Sequence, residues 1–181
     1  MCFEKDPEKT RKLRHRIEHC TIMDQDLISR MGKMNICPSV NAGLIRMYGA
    51  KFAKIYGAKR NRYLAPMRSM LDAGLKCSLH SDTPSGPCGL DCIDGAVNRY
   101  DRSTDVQCDR TQAISMMEAI RCYTFNAAYA SHEESIKGSI EPGKLADIIV
   151  LSGDILEIDP INIVDLRVDL TMIDGMIEYE R

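Results

Sequence analysis

Apolar and polar positions alternate in some stretches of the chain and recur every three to four residues in others, and the two patterns follow one another in turn. Residues 14–20 alternate, which predicts a strand that presents His19 on one face and Glu18 on the other. A helical stripe follows, with Asp24 placed to cap the helix and Gly32 to end it. This succession is typical of a parallel α/β sheet or barrel.

Two more strands and the chain between them continue the pattern. Residues 34–40 predict the second strand, in which Pro38 marks a bulge or an early end to pairing. Residues 41–62 form a long irregular segment in the pattern, either a lid or substrate loop or a helical excursion without a functional role. Pro66 is placed to open the next helix, which leads to a third strand within residues 75–82.

The last part of the chain changes from helical to β-type patterning. Residues 111–131 predict a single helix, whereas the stretch from Lys137 onward is rich in short alternating runs. The dipeptide Asp174-Gly175 between two such runs is typical of a two-residue β-hairpin. We therefore expect the C-terminal quarter to form part of a small β-sandwich.

The third strand carries the candidate chemistry. It stops on the carboxylate of Asp82 and turns at Pro84, and alternation places His80 on the same face as Asp82. A carboxylate at the carboxyl end of a strand, with a histidine one layer below it, suits metal binding or acid/base chemistry at the mouth of a barrel, and His19 closes the first strand in the same way. The alternative is a surface turn in which Asp82 bonds nearby backbone and His80 has no special role.

Composition narrows the class of protein. The 181 residues are 44% hydrophobic and 28% charged with a formal net charge of −2, the proportions of an ordinary soluble globular protein. The balance of charge argues against nucleic acid or an anionic membrane as partner, and no run approaches the ~18 apolar residues of a membrane span. The charged start is unlike a signal peptide, so we expect a cytoplasmic protein.

Cysteine usage agrees with a reducing compartment. The eight cysteines are mostly scattered singly through apolar segments, where a free thiol behaves as a small hydrophobe. The pair Cys88 and Cys92 has no second pair of cysteines or histidines at zinc-site spacing, which disfavours a structural zinc site there. A dinucleotide-binding domain is also disfavoured, because no Gly-x-Gly-x-x-Gly follows any predicted strand.

Three blocks carry a more specific signal, namely RIEH at 16–19, HSDTP at 80–84 and KGSIEPGKLADIIVL at 137–151. In this order they resemble the C-terminal half of the metal-dependent amidohydrolase superfamily, and in particular its amidohydrolase-3 branch, which includes N-substituted formamide deformylases. The resemblance implies an α/β fold: the C-terminal part of a (β/α)8 TIM-like barrel, with about three strand-helix units, plus part of a small β-sandwich. Residues 1–135 would be strands six to eight with their helices, and residues 136–181 the sandwich segment.

The resemblance also implies the chemistry and the residues that perform it. The expected activity is hydrolysis of non-peptide, amide-type C–N bonds in small molecules, through water activated by a divalent metal, most simply zinc. His19 would be a metal ligand, and Asp82 would be both a metal ligand and the proton shuttle to the leaving amine. From the predicted strands we also expect His80, which alternation places below Asp82, and Asn41 and Glu18 to support these ligands or contact the substrate, although related sequences tend to have Gln-Pro where this chain has Asn41-Ala42.

The same comparison predicts that the chain is a fragment. A full barrel takes about 250 residues, with ~200 as a lower limit, and the family's paired histidines on the first strand, its bridging acidic or lysine residue and its fifth-strand histidine have no counterpart in this sequence. The chain alone is therefore expected to be inactive and to pair with an upstream half or with copies of itself. The alternative function is a non-catalytic module that self-associates through open sheet edges, or that completes a barrel with a separate chain.

Overall fold

A computed structural model describes residues 5–83 and 88–181, and the statements about structure below concern these residues. The predicted turn at Pro84 and the first four residues lie outside them. The α/β class is confirmed, with a three-stranded parallel sheet β1-β2-β3, an antiparallel pair β4-β5 and a three-stranded antiparallel sheet β6-β7-β8. The strands are β1 (Arg16–His19), β2 (Cys37–Val40), β3 (Ser78–Leu79), β4 (Tyr100–Asp101), β5 (Val106–Gln107), β6 (Ile148–Leu151), β7 (Val168–Ile173) and β8 (Met176–Glu180).

Helices lie between the parallel strands and in the middle of the chain. They are α1 (Pro7–Lys12), α2 (Gln25–Met34), α3 (Gly43–Asn61), α4 (Met67–Asp72), α5 (Gly89–Val97), α6 (Met116–Tyr123) and α7 (Phe125–Ala130), with 3₁₀ turns at Arg110–Gln112 and Pro160–Asp165. Within the described residues, no helix combines the length and apolarity that crossing a membrane would require.

The parallel sheet is built around β2, whose four residues are all buried. Pro38 pairs with Ile17 in continuous register, so the predicted bulge or early end to pairing at Pro38 is wrong. The third strand is shorter than predicted, although the His80 amide extends the ladder by donating to the Val40 carbonyl at 3.1 Å. A φ of +60° at Asp82 then ends the extended chain, so strand alternation does not reach this residue.

Helix α2 begins as predicted and ends later than predicted. The Asp24 side chain accepts a hydrogen bond from the Leu27 amide, which confirms the cap. Gly32 does not end the helix, which continues to Met34 and is closed by Asn35 at φ +53°. Asparagine tolerates the left-handed conformation that a helix C-terminus often needs, so it can replace glycine there.

Two longer segments also differ from their predictions. Most of residues 41–62 is helix α3, broken at Gly57 with φ +72°, so the segment is helical and not irregular as the pattern suggested. Residues 111–131 are not one helix: a 3₁₀ turn comes first, and Thr124 separates α6 from α7. The interruption before α6 has a local cause: Ser115 and Glu118 form a reciprocal capping box, which starts a new helix at this point.

Helices α3 and α5 pack closely enough to fix the end of β2. A Cβ atom on Gly95 of α5 would lie 2.1 Å from the Ala42 carbonyl oxygen, at the start of α3. The buried Asp94 carboxylate reinforces this contact, because it accepts from Arg102 Nε at 2.9 Å and Asn98 Nδ2 at 2.7 Å and lies 3.2 Å from Arg46 Nε on α3. A buried carboxylate is tolerated when it is paired in this way.

The C-terminal sheet contains the predicted hairpin. Asp174 and Gly175 connect β7 and β8 with φ values of +49° and +79°, the two positive values that a type I′ turn requires. Strand β8 lies at one edge of this sheet, and all of its residues are exposed.

Candidate active site

The candidate site lies at the carboxyl edge of the parallel sheet. His19 ends β1, and His80 and Asp82 follow β3. The His19 Nε2 atom lies 4.0 Å from Asp82 Oδ2, and the rings of His19 and His80 meet edge to face with centroids 5.0 Å apart. The structure therefore brings together three of the residues singled out in the sequence.

Regular strand alternation alone would not place His19 in this group. In the sheet register His19 pairs with Val40, and Val40 with Leu79, so alternation puts His80 on the opposite face. A residue in a parallel strand has a φ of about −120°, whereas His19 has a φ of +66°. This difference rotates the Cβ atom of His19 by about half a turn around the N–Cα bond, so the side chain points to the other face. The imidazole consequently reaches the ring of His80.

The left-handed conformation is shared by the two residues that approach each other. His19 and Asp82 have φ values of +66° and +60°, in a region that costs a non-glycine residue about 1–2 kcal/mol. Both side chains remain about half exposed, at 46% for His19 and 55% for Asp82, so they are open to a ligand.

His80 is held by its backbone but has an unpartnered ring nitrogen. Its amide donates to Val40 and its carbonyl accepts from Cys92 Sγ at 3.3 Å, whereas Nε2 is buried and has no hydrogen-bond partner among the described residues. Burial, and secondly the neighbouring His19 ring, lower the pKa of His80. A neutral imidazole with a buried free nitrogen is unusual without a further partner at the site.

Asn41 and Glu18 lie beside this group in different ways. Asn41, only 4% exposed, follows β2 and donates through Nδ2 to the Ser81 carbonyl at 3.4 Å, while its buried Oδ1 has no partner in the described part of the chain. Glu18 pairs with Arg16. Burial raises the pKa of Glu18, but hydrogen bonds from Ser39 and Arg16 outweigh it and keep the pKa below its usual value. Glu18 is thus an ionised neighbour of the site.

The sequence reasoning missed several residues that contact the site. The hydroxyl groups of Ser81 and Thr83 are hydrogen-bonded at 2.7 Å on either side of Asp82, and the Tyr123 phenol lies near Ser81. Ser81 and Thr83 belong to the HSDTP block and could have been noticed there. Tyr123 lies 42 residues after Ser81 on α6, and nothing in its local pattern marks it.

A comparison with protein families decides where this chain belongs. The sequence model described as the amidohydrolase family matches residues 2–179, which is nearly the whole chain. The chain belongs to the amidohydrolase family. This result confirms the resemblance inferred from the three sequence blocks.

The relatives of this amidohydrolase chain are considerably longer than the chain itself. The N-substituted formamide deformylase of Arthrobacter pascens is 35% identical over 167 residues, which cover 92% of this chain and 31% of the deformylase. The chain spans about a third of the length of the curated relatives it matches.

Solved structures agree with this placement. An uncharacterized metal-dependent hydrolase from Pyrococcus furiosus is 26% identical, with a TM-score of 0.68 over 86% of this chain and 30% of that protein. A metal-dependent hydrolase from Pyrococcus horikoshii shares the fold, with a TM-score of 0.69 over 81% of this chain and 30% of that protein, at 24% identity.

A divalent metal, which the amidohydrolase family suggests, fits only part of this site. Zinc binds imidazole nitrogen and carboxylate oxygen at about 2.0–2.2 Å, so His19 Nε2 and Asp82 Oδ2, 4.0 Å apart, are close enough to contact one ion. No group of three or more His, Cys, Asp or Glu side chains suited to a metal occurs in residues 5–83 and 88–181. His19 and Asp82 can therefore fill two ligand positions of a metal ion, and the remaining ligand positions need side chains from outside the described residues.

Proposed function

We propose that this chain supplies part of the active site of a metal-dependent hydrolase that cleaves C–N bonds in small amide-type molecules. The observation that carries the proposal is the 4.0 Å approach of His19 and Asp82 at the carboxyl edge of a parallel sheet, in a chain of the amidohydrolase family. The N-substituted formamide deformylase named among its relatives supports an amide-type substrate.

Under this proposal, β1, β2 and β3 correspond to strands six, seven and eight of a barrel. Strand β1 lies at the edge of the sheet with all four residues exposed, which fits a neighbouring strand on its open side. By complete hydrolase we mean this chain joined to the residues that supply the rest of the barrel and the remaining metal ligands. The short length of the chain relative to its relatives supports this division.

The residues of this chain have distinct roles in the proposed reaction. A bound divalent metal would supply a water whose pKa is lowered to about 7 and would polarise the substrate carbonyl. His19 would hold the ion, with its Nε2 atom facing Asp82. Asp82, half exposed and bound to no other described group, takes a proton from the attacking water and returns it to the leaving nitrogen. His80 packs edge-on against the His19 ring and restricts its orientation.

Substitution of His19 tests the metal-binding half of this proposal. In the complete hydrolase, His19→Ala is expected to weaken zinc binding by at least about 100-fold, because loss of supporting partners alone costs about 10–100-fold. The measurement is a titration with a competing chelator, with elemental analysis after dialysis. His15→Ala removes an exposed histidine four residues earlier and is expected to leave the affinity unchanged. Equal affinities in the two variants would contradict the assignment of His19.

We propose a second candidate role because the β6-β7-β8 sheet exposes many apolar side chains. Ile149, in β6, and Tyr179, in β8, lie in one cross-strand row through Thr171 and are 54% and 48% exposed, and Ile177 is 54% exposed. Exposed patches of this kind commonly mark association surfaces. In this role the chain is a non-catalytic module that associates with a second copy through this sheet.

Sedimentation velocity with elemental metal analysis separates the two roles. For the association role, Ile149→Lys is expected to raise the dimer dissociation constant at least about tenfold, because a charge replaces apolar contact area. Ile55→Lys, on a 61% exposed helical position, is expected to leave the dissociation constant unchanged. A monomeric chain with one tightly bound metal per molecule would contradict the association role.

A further inference from the structure

We propose that the hydroxyl groups of Ser81 and Thr83 position the Asp82 carboxylate by holding the Asp82 backbone in the left-handed region. The inference rests on the proposed function, because it assumes that Asp82 acts in hydrolysis. Ser81 and Thr83 are positioning residues, since they act on the reaction only through Asp82.

Asp82 adopts a left-handed conformation, and the described residues give its carboxylate no backbone hydrogen bond that would stabilise it. Aspartate visits the left-handed region more readily than most residues because its carboxylate can hydrogen-bond to nearby backbone. Within residues 5–83 and 88–181 the Asp82 carboxylate accepts no hydrogen bond from a backbone amide, and its close polar contact is His19 Nε2 at 4.0 Å. Among the described residues, the contact that can hold this turn is the hydrogen bond between the two flanking hydroxyl groups.

The two hydroxyl groups span this turn. In an extended chain, residues two apart have Cα atoms about 6.6 Å apart, and their side chains run parallel. Ser81 Oγ and Thr83 Oγ1 are only 2.7 Å apart, a distance that short side chains reach when the backbone between them bends. The hydrogen bond and the φ of +60° at Asp82 thus describe one closed turn. If either hydroxyl is lost, the turn can open.

Ser81 is held to the rest of the protein through its backbone. Its carbonyl accepts from Asn41 Nδ2 at 3.4 Å, just after β2. Its side chain lies near the phenol of Tyr123 on α6, where burial raises the pKa of Tyr123 and this proximity lowers it. Because Asn41 holds Ser81 and Thr83 is hydrogen-bonded to Ser81, the carboxylate between them is aimed at His19.

The experiment removes one hydroxyl at constant shape in the complete hydrolase. Thr83→Val is expected to lower kcat by about 10–100-fold with KM within about twofold, because a misaimed carboxylate affects the reaction more than substrate binding. Thr83→Ser restores the hydroxyl and is expected to return kcat to within about threefold of the original. Thr111→Val makes the same change at an exposed threonine outside the site, whose hydroxyl is bonded to Asp109 at 2.6 Å, and is expected to leave both constants unchanged.

A second measurement reads the turn without any turnover. NMR chemical shifts of Asp82 Cα and Cβ, recorded on metal-free protein, are expected to move toward extended values in Thr83→Val and to stay in place in Thr83→Ser. Should Thr83→Val fail to fold, Ser81→Ala removes the same hydrogen bond from the other side and is judged by the same two measurements.

The outcomes separate this inference from the proposed function. Unmoved Asp82 shifts, or shifts that move while kcat is unchanged, overturn the positioning role. A loss of kcat accompanied by unmoved shifts overturns it as well. Full turnover in Asp82→Asn would instead refute the proposed function, and the shifts of Thr83→Val would still decide whether the hydroxyl pair holds the turn.

Discussion

Asp82→Asn in the complete hydrolase is expected to lower kcat/KM by about 10³–10⁴-fold while the protein folds normally. General acid–base catalysis contributes about 10²–10⁴-fold to the rate. The asparagine amide cannot accept the proton, and it has no negative charge with which to bind the metal cation. Each tenfold loss corresponds to about 1.36 kcal/mol of transition-state stabilisation. The measurement is steady-state kinetics on an amide or formamide substrate.

The fold should tolerate this change for reasons visible in the structure. The Asp82 side chain is 55% exposed and accepts no hydrogen bond from the described residues, so stability is expected to change by only about 0.5 kcal/mol. Asparagine also tolerates the φ of +60° found there. Asp26→Asn, at a carboxylate 75% exposed on α2, is the matched control and should leave kcat/KM unchanged. Unchanged turnover in Asp82→Asn would remove Asp82 from the mechanism.

Gly95→Ala is expected to destabilise the chain by about 3 kcal/mol or more. The new Cβ would lie 2.1 Å from the Ala42 carbonyl oxygen, far inside contact distance, and a backbone atom cannot move aside as a flexible side chain can. Overpacking of a well-filled interior typically costs about 1–3 kcal/mol and occasionally more. Helix α5 must therefore shift away from the start of α3. Urea denaturation followed by circular dichroism measures the change.

A second helical glycine gives the opposite expectation. At Gly32 in α2 the nearest atom to an added Cβ is the Ala73 carbonyl oxygen at 3.7 Å, an ordinary contact. Gly32→Ala is expected to stabilise the chain by about 0.5–1 kcal/mol, because alanine loses less backbone entropy in a helix. Equal effects of the two substitutions would show that the close approach of α5 and α3 is not what limits position 95.

The site should respond to the packing of α5 and α3 as well. Asn41 precedes Ala42 and holds the Ser81 carbonyl, so a displaced α3 would disturb the segment that carries Asp82. The close approach of α5 and α3 at Gly95 is therefore needed both for packing of the core and for the position of the site residues.

The sequence by itself determined the parts of this protein that depend on local chemistry. Alternation marked the first strand and the residue that ends it, and the Asp174-Gly175 turn followed from the positive φ that glycine and aspartate tolerate. The amidohydrolase family was recognisable because its three blocks are contiguous runs of residues.

Only the tertiary structure decided how the candidate residues meet. In the observed register, strand alternation would place His19 and His80 on opposite faces of the sheet. The left-handed φ at His19 brings the two rings together instead. The pattern of apolar residues does not encode the sign of φ at a single residue. The contacts of Asn41 and Tyr123 with Ser81 join residues about 40 positions apart. Such contacts arise when helices and strands pack, so short-range periodicity cannot predict them.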